Sequence, residues 1–158
     1  EVSAAGEPIL CLCFGQDGLR KVYILLAVAS KDGTVVLHGC YRAEIEIAML
    51  ADQEFPQDDD ETSNSPPSDH SNIAVHSRLV GHSQVVTSCF FTPLEDQLVT
   101  TSYYKPMRFW NIDDGDMLRV FTDSSSVHVA IYLPFNPQVV VVGKNSNSVL
   151  RLVNVTEG

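Results

Sequence analysis

Residues 81–111, GHSQVVTSCFFTPLEDQLVTTSYYKPMRFWN, constrain the fold more than any other stretch. Two apolar runs, 85–91 and 97–102, flank Thr92-Pro93-Leu94-Glu95-Asp96, where a proline and paired acids stop a strand. A third run, 107–112, follows a turn at 103–106. Short β-rich runs broken every ~8–12 residues argue for an all-β unit rather than helices. Gly81-His82 opens the stretch and Trp110-Asn111 closes it, so it reads as one repeat unit.

The unit recurs downstream. Thr92-Pro93 returns as Leu133-Pro134 and 97–102 returns as 138–143, each 41 residues on, while Arg108 and Asn111 return as Arg151 and Asn154, 43 residues on. Val153 then stands where Trp110 stood and Asn147 six residues before it. Upstream, 9–14, 23–30 and 35–38 read as strands parted by Gly15-Gln16-Asp17-Gly18 and Lys31-Asp32-Gly33-Thr34. The run 23–30 carries enough consecutive aliphatics to be buried on both faces. Ser30 lies eight residues before His38, as Ser102 does before Trp110, so His38 takes the tryptophan's place. Asp32 occupies the turn position that Tyr104 fills in the second unit. Residues 73–79 and 117–121 read as outer strands closing the first and second units.

A Gly-His near the start and a Trp followed by an acid or amide near the end resemble the WD40 repeat, whose unit is a four-stranded propeller blade of ~40–45 residues. The fold class that the resemblance implies is all-β, a partial β-propeller of about three four-stranded antiparallel blades with the last one incomplete. Blade 1 would be 8–40 plus 73–80, blade 2 81–121 and blade 3 127–158. The resemblance also implies a buried hydrogen-bonded set of loop histidine, strand hydroxyl, turn acid and tryptophan. His82, Ser102 (or Thr100) and Trp110 fill three of those places in the second unit, and Ser30 and Asp32 fill two in the first. Within that family, VTTSYYKPMRFW at 99–110, Val142-Gly143 and the ending VNVTEG are similar to the WD-repeat protein thirteen family. That narrower resemblance implies an intracellular scaffold, nuclear or cytoplasmic, that acts through protein contacts and has no catalytic residues.

The formal net charge of −10 is a local property. Residues 51–72 hold seven acids (Asp52, Glu54, Asp58, Asp59, Asp60, Glu61 and Asp69) and no Lys or Arg, which leaves 13 acids against 10 bases elsewhere. A mildly acidic remainder gives no case for direct contact with nucleic acid or with an anionic membrane. The segment itself, poor in apolar residues and carrying paired prolines, reads as a disordered loop inserted between the third and fourth strands of the first unit. It reads as a solvated insertion, or alternatively as a site for a basic partner or for phosphate at Thr62, Ser63 or Ser68. The longest uncharged apolar run, 22–30, falls far below the ~20 residues that span a bilayer. The four cysteines (Cys11, Cys13, Cys40 and Cys89) lie in strand-like runs with no Cys-x-x-Cys pair, so buried thiols are expected, with no metal and no cofactor.

Propeller scaffolds carry no built-in chemistry, and the leading expectation is therefore a protein-interaction scaffold without enzymatic activity. Tyr103, Tyr104, Lys105, Arg108, Lys144 and Arg151 are the candidate partner contacts. The repeated position of Arg108 and Arg151 equally suits packing or an edge role. A hydrolase-like enzyme is the alternative, resting on Asp123-Ser124-Ser125-Ser126 near His128, but the segment lacks a Gly-x-Ser-x-Gly elbow. A further alternative is self-assembly, two copies closing a six-blade ring, which is set against a chain that is a piece of a longer propeller.

Overall fold

The computed structural model describes residues 7–16, 19–20, 22–43, 72–103, 105–122, 127–133, 136–144 and 150–154. They form eleven strands: β1 Ile9–Phe14, β2 Tyr23–Ser30, β3 Val35–Tyr41, β4 Ile73–Leu79, β5 Val86–Phe91, β6 Gln97–Ser102, β7 Lys105–Asn111, β8 Met117–Phe121, β9 Val127–Leu133, β10 Asn136–Lys144 and β11 Leu150–Asn154. Three antiparallel sheets result, ordered β1-β2-β3-β4, β5-β6-β7-β8 and β9-β10-β11. Strands that follow one another in sequence are neighbours in each sheet, and β3 and β4 pair despite the 31 residues between them. Of the loop expected at 51–72, residues 51–71 lie outside the described residues. Their attachment is nonetheless defined, since Tyr41 N–H donates to Asn72 O at 2.7 Å where β3 meets β4.

The sheets stack face to face, and each seam is a separate core. Leu25, Ala27, Val35, Leu37 and Leu79 of the first sheet bury against Cys89, Leu98, Trp110 and Ile112 of the second. On the other face of the second sheet, Phe90, Val99, Met107 and Phe109 bury against Ala130, Tyr132, Val140 and Val142 of the third. Alternate residues of β5, β6 and β7 thus feed opposite seams, the period-2 rule applied to a sheet with two covered faces. The edge strand β8 is the exception. It is exposed along 117–120, and Arg119 lies over the Phe109 ring at 3.8 Å, which shields the core from the side.

Register corrects one expectation. Thr100 pairs with Arg108 in the second sheet and Val142 pairs with Arg151 in the third, so the middle strands are offset by 42 residues, not the 41 at which 97–102 was matched to 138–143. The difference has a cause in the β9–β10 connection, where pairing is irregular between Asn136 and Val140. A one-residue slip exchanges the faces of a strand. At 42, Val140 and Val142 fall into the seam as Leu98 and Thr100 do, and both are fully buried.

Polar contacts fasten the first seam at its rim. Glu95, at a φ of 51°, is buried, accepts the Gln16 backbone N–H and ion-pairs with Arg20. Burial pushes its carboxyl above the ordinary range while the Arg20 guanidinium opposes the shift. A non-glycine residue in the left-handed region costs ~1–3 kcal/mol, and these two bonds to the first sheet hold it there. Gly33 (φ 89°) meets the second sheet equally closely, since a Cβ there would stand 2.8 Å from His82 O.

Phe109 is fully buried in the second seam, and Phe109→Ala is expected to cost ~3–5 kcal/mol in chemical denaturation. Leu118→Ala, on the half-exposed edge strand β8, should stay within ~0.5 kcal/mol.

Candidate functional site

Trp110 and Thr100 come together because β6 and β7 pair in register at Leu98 and Trp110, which places Thr100 diagonally across from the indole on the same face. Trp110 Nε1–H donates to Thr100 Oγ1 at 2.8 Å, and His82 Nε2 lies 2.6 Å from the same hydroxyl. The imidazole and indole rings are 5.8 Å apart. All three side chains are buried. Gly81 sits directly over this group. A Cβ at Gly81 would stand 3.1 Å from Trp110 Cη2 and 2.8 Å from Arg108 Nη1, which gives the Gly-His dipeptide a steric reason.

Burial, with the Arg108 charge adding to it, lowers the His82 pKa from 6.5 to about 4. The ring is neutral at physiological pH, and with Trp110 donating to Thr100 the hydroxyl is free to donate to Nε2, an arrangement that suits a proton on Nδ1. His82 Nδ1 has no partner among the described residues. The turn position that would supply an acid is Tyr104, which lies outside the described residues.

Ser102 does not belong to this group. An irregularity between Thr100 and Ser102 shifts it out of line with the tryptophan, and its Oγ donates instead to Gln84 O at 3.1 Å. Thr100, the alternative hydroxyl, holds the place. Alternation from the Leu98–Trp110 pair identifies it once the register is known. Ser30 and Asp32 likewise form a local turn rather than a buried network. Ser30 Oγ donates to Asp32 Oδ1, Thr34 N–H donates to the same oxygen at 2.8 Å, and Asp32 is exposed. The Ser30 hydroxyl, with the Thr34 N–H contributing, lowers the Asp32 pKa.

The other two sheets show what the hydroxyl does. His38 pairs with Leu26 as Trp110 pairs with Leu98, and Val28 takes the place of Thr100. His38 is buried, its Nε2 has no partner among the described residues, and burial followed by the Arg78 charge lowers its pKa. In the third sheet the equivalents, Val142 and Val153, are both apolar, and Val153 packs on the seam.

The candidate contact residues divide by position. Tyr103 follows β6 half-buried, its ring edge-on to His128 at 5.5 Å across the second seam. Lys105 begins β7 and Lys144 ends β10, so the β6–β7 and β10–β11 turns emerge at one end of the stack. The β2–β3 turn, with Lys31, and the β4–β5 loop, with His82, open at that same end. Arg108 and Arg151 are elsewhere, within β7 and β11 and opposite Thr100 and Val142. Arg108 is half-buried over Gly81, a packing position, whereas Arg151 is exposed.

No family model matches the chain. No curated protein matches it. Among solved structures, the β-propeller domain of Cps50 (Swd1) from Myceliophteria thermophila superposes with a TM-score of 0.63 at 19% sequence identity, over 98% of this chain and 38% of that one. The fold is therefore a partial β-propeller, each sheet a blade, and the chain spans well under half the length of the structure it matches.

Two predictions follow from the hydroxyl. Thr100→Val leaves Trp110 Nε1 and His82 Nε2 unpaired and should cost ~2 kcal/mol or more by chemical denaturation. Val28→Thr supplies His38 with the missing partner and should cost under ~1 kcal/mol, against ~1–3 kcal/mol for a buried hydroxyl with no partner. A third prediction concerns pH. Between pH 6.5 and about 4 the unfolded chain protonates residue 82 and the folded chain does not, so stability falls across that window as pH drops. Above pH 6.5 this contribution is fully retained, and in His82→Gln the slope of stability against pH should be shallower across the window.

Proposed function

We propose that this chain is a non-catalytic protein-interaction scaffold whose contacts lie at the end of the stack where the β2–β3, β6–β7 and β10–β11 turns gather. The observation that carries this reading is the convergence of Lys31, Tyr103, Lys105 and Lys144 on turns or strand ends of three adjacent sheets. Tyr104 completes the set by sequence position. Aromatic and basic residues at the ends of neighbouring paired strands supply anchors of the kind that dominate binding energy at interfaces. The charges favour a partner segment bearing acidic side chains, with binding that weakens as salt rises.

The histidines support the absence of catalysis in this reading. His38 and His82 are buried at packing positions with lowered pKa values, and His128 stacks edge-on against Tyr103. The serines of the hydrolase alternative, Ser124 to Ser126, lie outside the described residues. The narrower resemblance to the WD-repeat protein thirteen family supports a nuclear or cytoplasmic adaptor role.

The apolar end faces of the stack favour a second reading, closure by a second copy. Leu10, Leu12 and Phe14 of β1 are exposed at one end, and Ile131 of β9 with Leu150 and Leu152 of β11 at the other. Two copies meeting at both faces would form a six-blade ring, within the range of closed propellers. Light scattering at micromolar concentration should then give the mass of a dimer, and a stable monomer would remove this second reading.

For the scaffold itself, the decisive comparison uses Tyr103→Ala/Tyr104→Ala/Lys105→Ala against Asp113→Asn/Asp114→Asn at the opposite end. Quantitative affinity capture should lose a reproducible set of proteins with the first variant and retain it with the second. A folded turn variant that keeps every partner would refute the assignment.

A further inference from the structure

Two thiols from different blades face each other across the first seam. Cys11 on β1 and Cys89 on β5 lie 78 residues apart in sequence, and their Sγ atoms are 3.0 Å apart. That is about 1 Å beyond a covalent S–S bond of ~2.05 Å. Cys13, two residues along β1 and on the same face, also brings its thiol to Cys89. Cys89 is buried, whereas Cys11 and Cys13 are only partly so and lie on an edge strand that a small oxidant can reach. Cys40 lies on β3 and packs on the opposite face of the first sheet, with Leu26 and Val28. Two thiols in contact can be joined by oxidation.

We propose that Cys11 and Cys89 form a reversible disulfide that staples the first blade to the second in response to a peroxide. The Cys11 thiolate attacks one oxygen of hydrogen peroxide, which breaks the O–O bond, gives a sulfenic acid and, with one proton, releases water. Cys89 then attacks the sulfenic sulfur, the S–O bond breaks, the S–S bond forms and a second water leaves. Two thiols and one peroxide thus become one disulfide and two waters. A thiol reductant reverses the reaction by exchange through a mixed disulfide.

The backbone ladders of β1 with β2 and of β5 with β6 hold both residues, with their sulfurs 3.0 Å apart. Contact with Cys89, followed by burial, holds the Cys11 thiol far above the ordinary thiol range. For Cys89 the Cys11 contact pulls downward, but the Cys13 thiol and burial push upward and prevail. Both groups stay protonated at neutral pH, which sets the reaction to sustained rather than transient oxidant and makes it faster as pH rises. The loop that the bond closes contains the whole acidic segment 51–72.

The test uses the full chain, treated with hydrogen peroxide, alkylated with N-ethylmaleimide and digested without reduction. Mass spectrometry should find an intramolecular Cys11–Cys89 linked peptide, free thiols falling from four to two, and Cys40 still alkylated. Dithiothreitol should restore all four thiols, and the oxidised form should melt about 10 °C higher, as expected for a long closed loop. Cys89→Ser should abolish the linkage and the thermal shift, and Cys40→Ser should preserve both. Should Cys89→Ser fail to fold, the peptide map of the unaltered chain still decides. Recovery of Cys11 and Cys89 both alkylated from the folded, oxidised protein would overturn the proposal, and so would a linkage dominated by another pair or by intermolecular bonds.

Discussion

Burial of the second sheet on both of its faces is the constraint on which the rest of this structure depends. A four-stranded sheet in water leaves one apolar face to cover, and β5 to β8 leave two, because successive residues of β6 are buried without interruption from Leu98 to Ser102. The first sheet covers one face with Leu25, Leu37 and Leu79, and the third covers the other with Tyr132, Val140 and Val142. Radial stacking follows from that need alone, since neither flanking sheet can leave without exposing Trp110 on one side or Phe109 on the other.

An unpaired polar group within such a stack is costly, and the three blades give three solutions at one position. The second blade pairs an indole, a hydroxyl and an imidazole. The third removes the problem by placing Val142 and Val153 there. The first retains His38 beside Val28, where burial, with the Arg78 charge adding to it, lowers the pKa of the ring. The sites differ in polarity but share a register, which shows that the backbone geometry, not the hydrogen-bonded set, defines a blade here. The set adds stability and orientation to a unit already specified by alternation and turns.

Much of this was legible in the sequence because strand alternation and turn chemistry act locally. The eleven strands, their order and the substitution of His38 for the tryptophan follow from runs such as 23–30 and turns such as Lys31-Asp32-Gly33-Thr34. The choice of Thr100 over Ser102 and the 42-residue offset of β10 were not legible, because both depend on cross-strand register, which a single bulge resets. Contacts between blades were harder still. Glu95 reads as an ordinary turn acid, yet it is a buried latch to Arg20 and Gln16, and nothing in the spacing of Cys11 and Cys89 announces that their sulfurs meet. These pairings are set by how whole sheets lie on one another.

Amide hydrogen exchange measured residue by residue tests the central claim most directly. A sandwiched second blade requires the amides of Leu98 to Thr101 and of Met107 to Trp110 to exchange most slowly, only through global unfolding, while those of the edge strands β1 and β8 exchange through local opening. Central and edge strands of the second sheet exchanging at equal rates, or rapid exchange throughout β6 in the folded chain, would contradict the account.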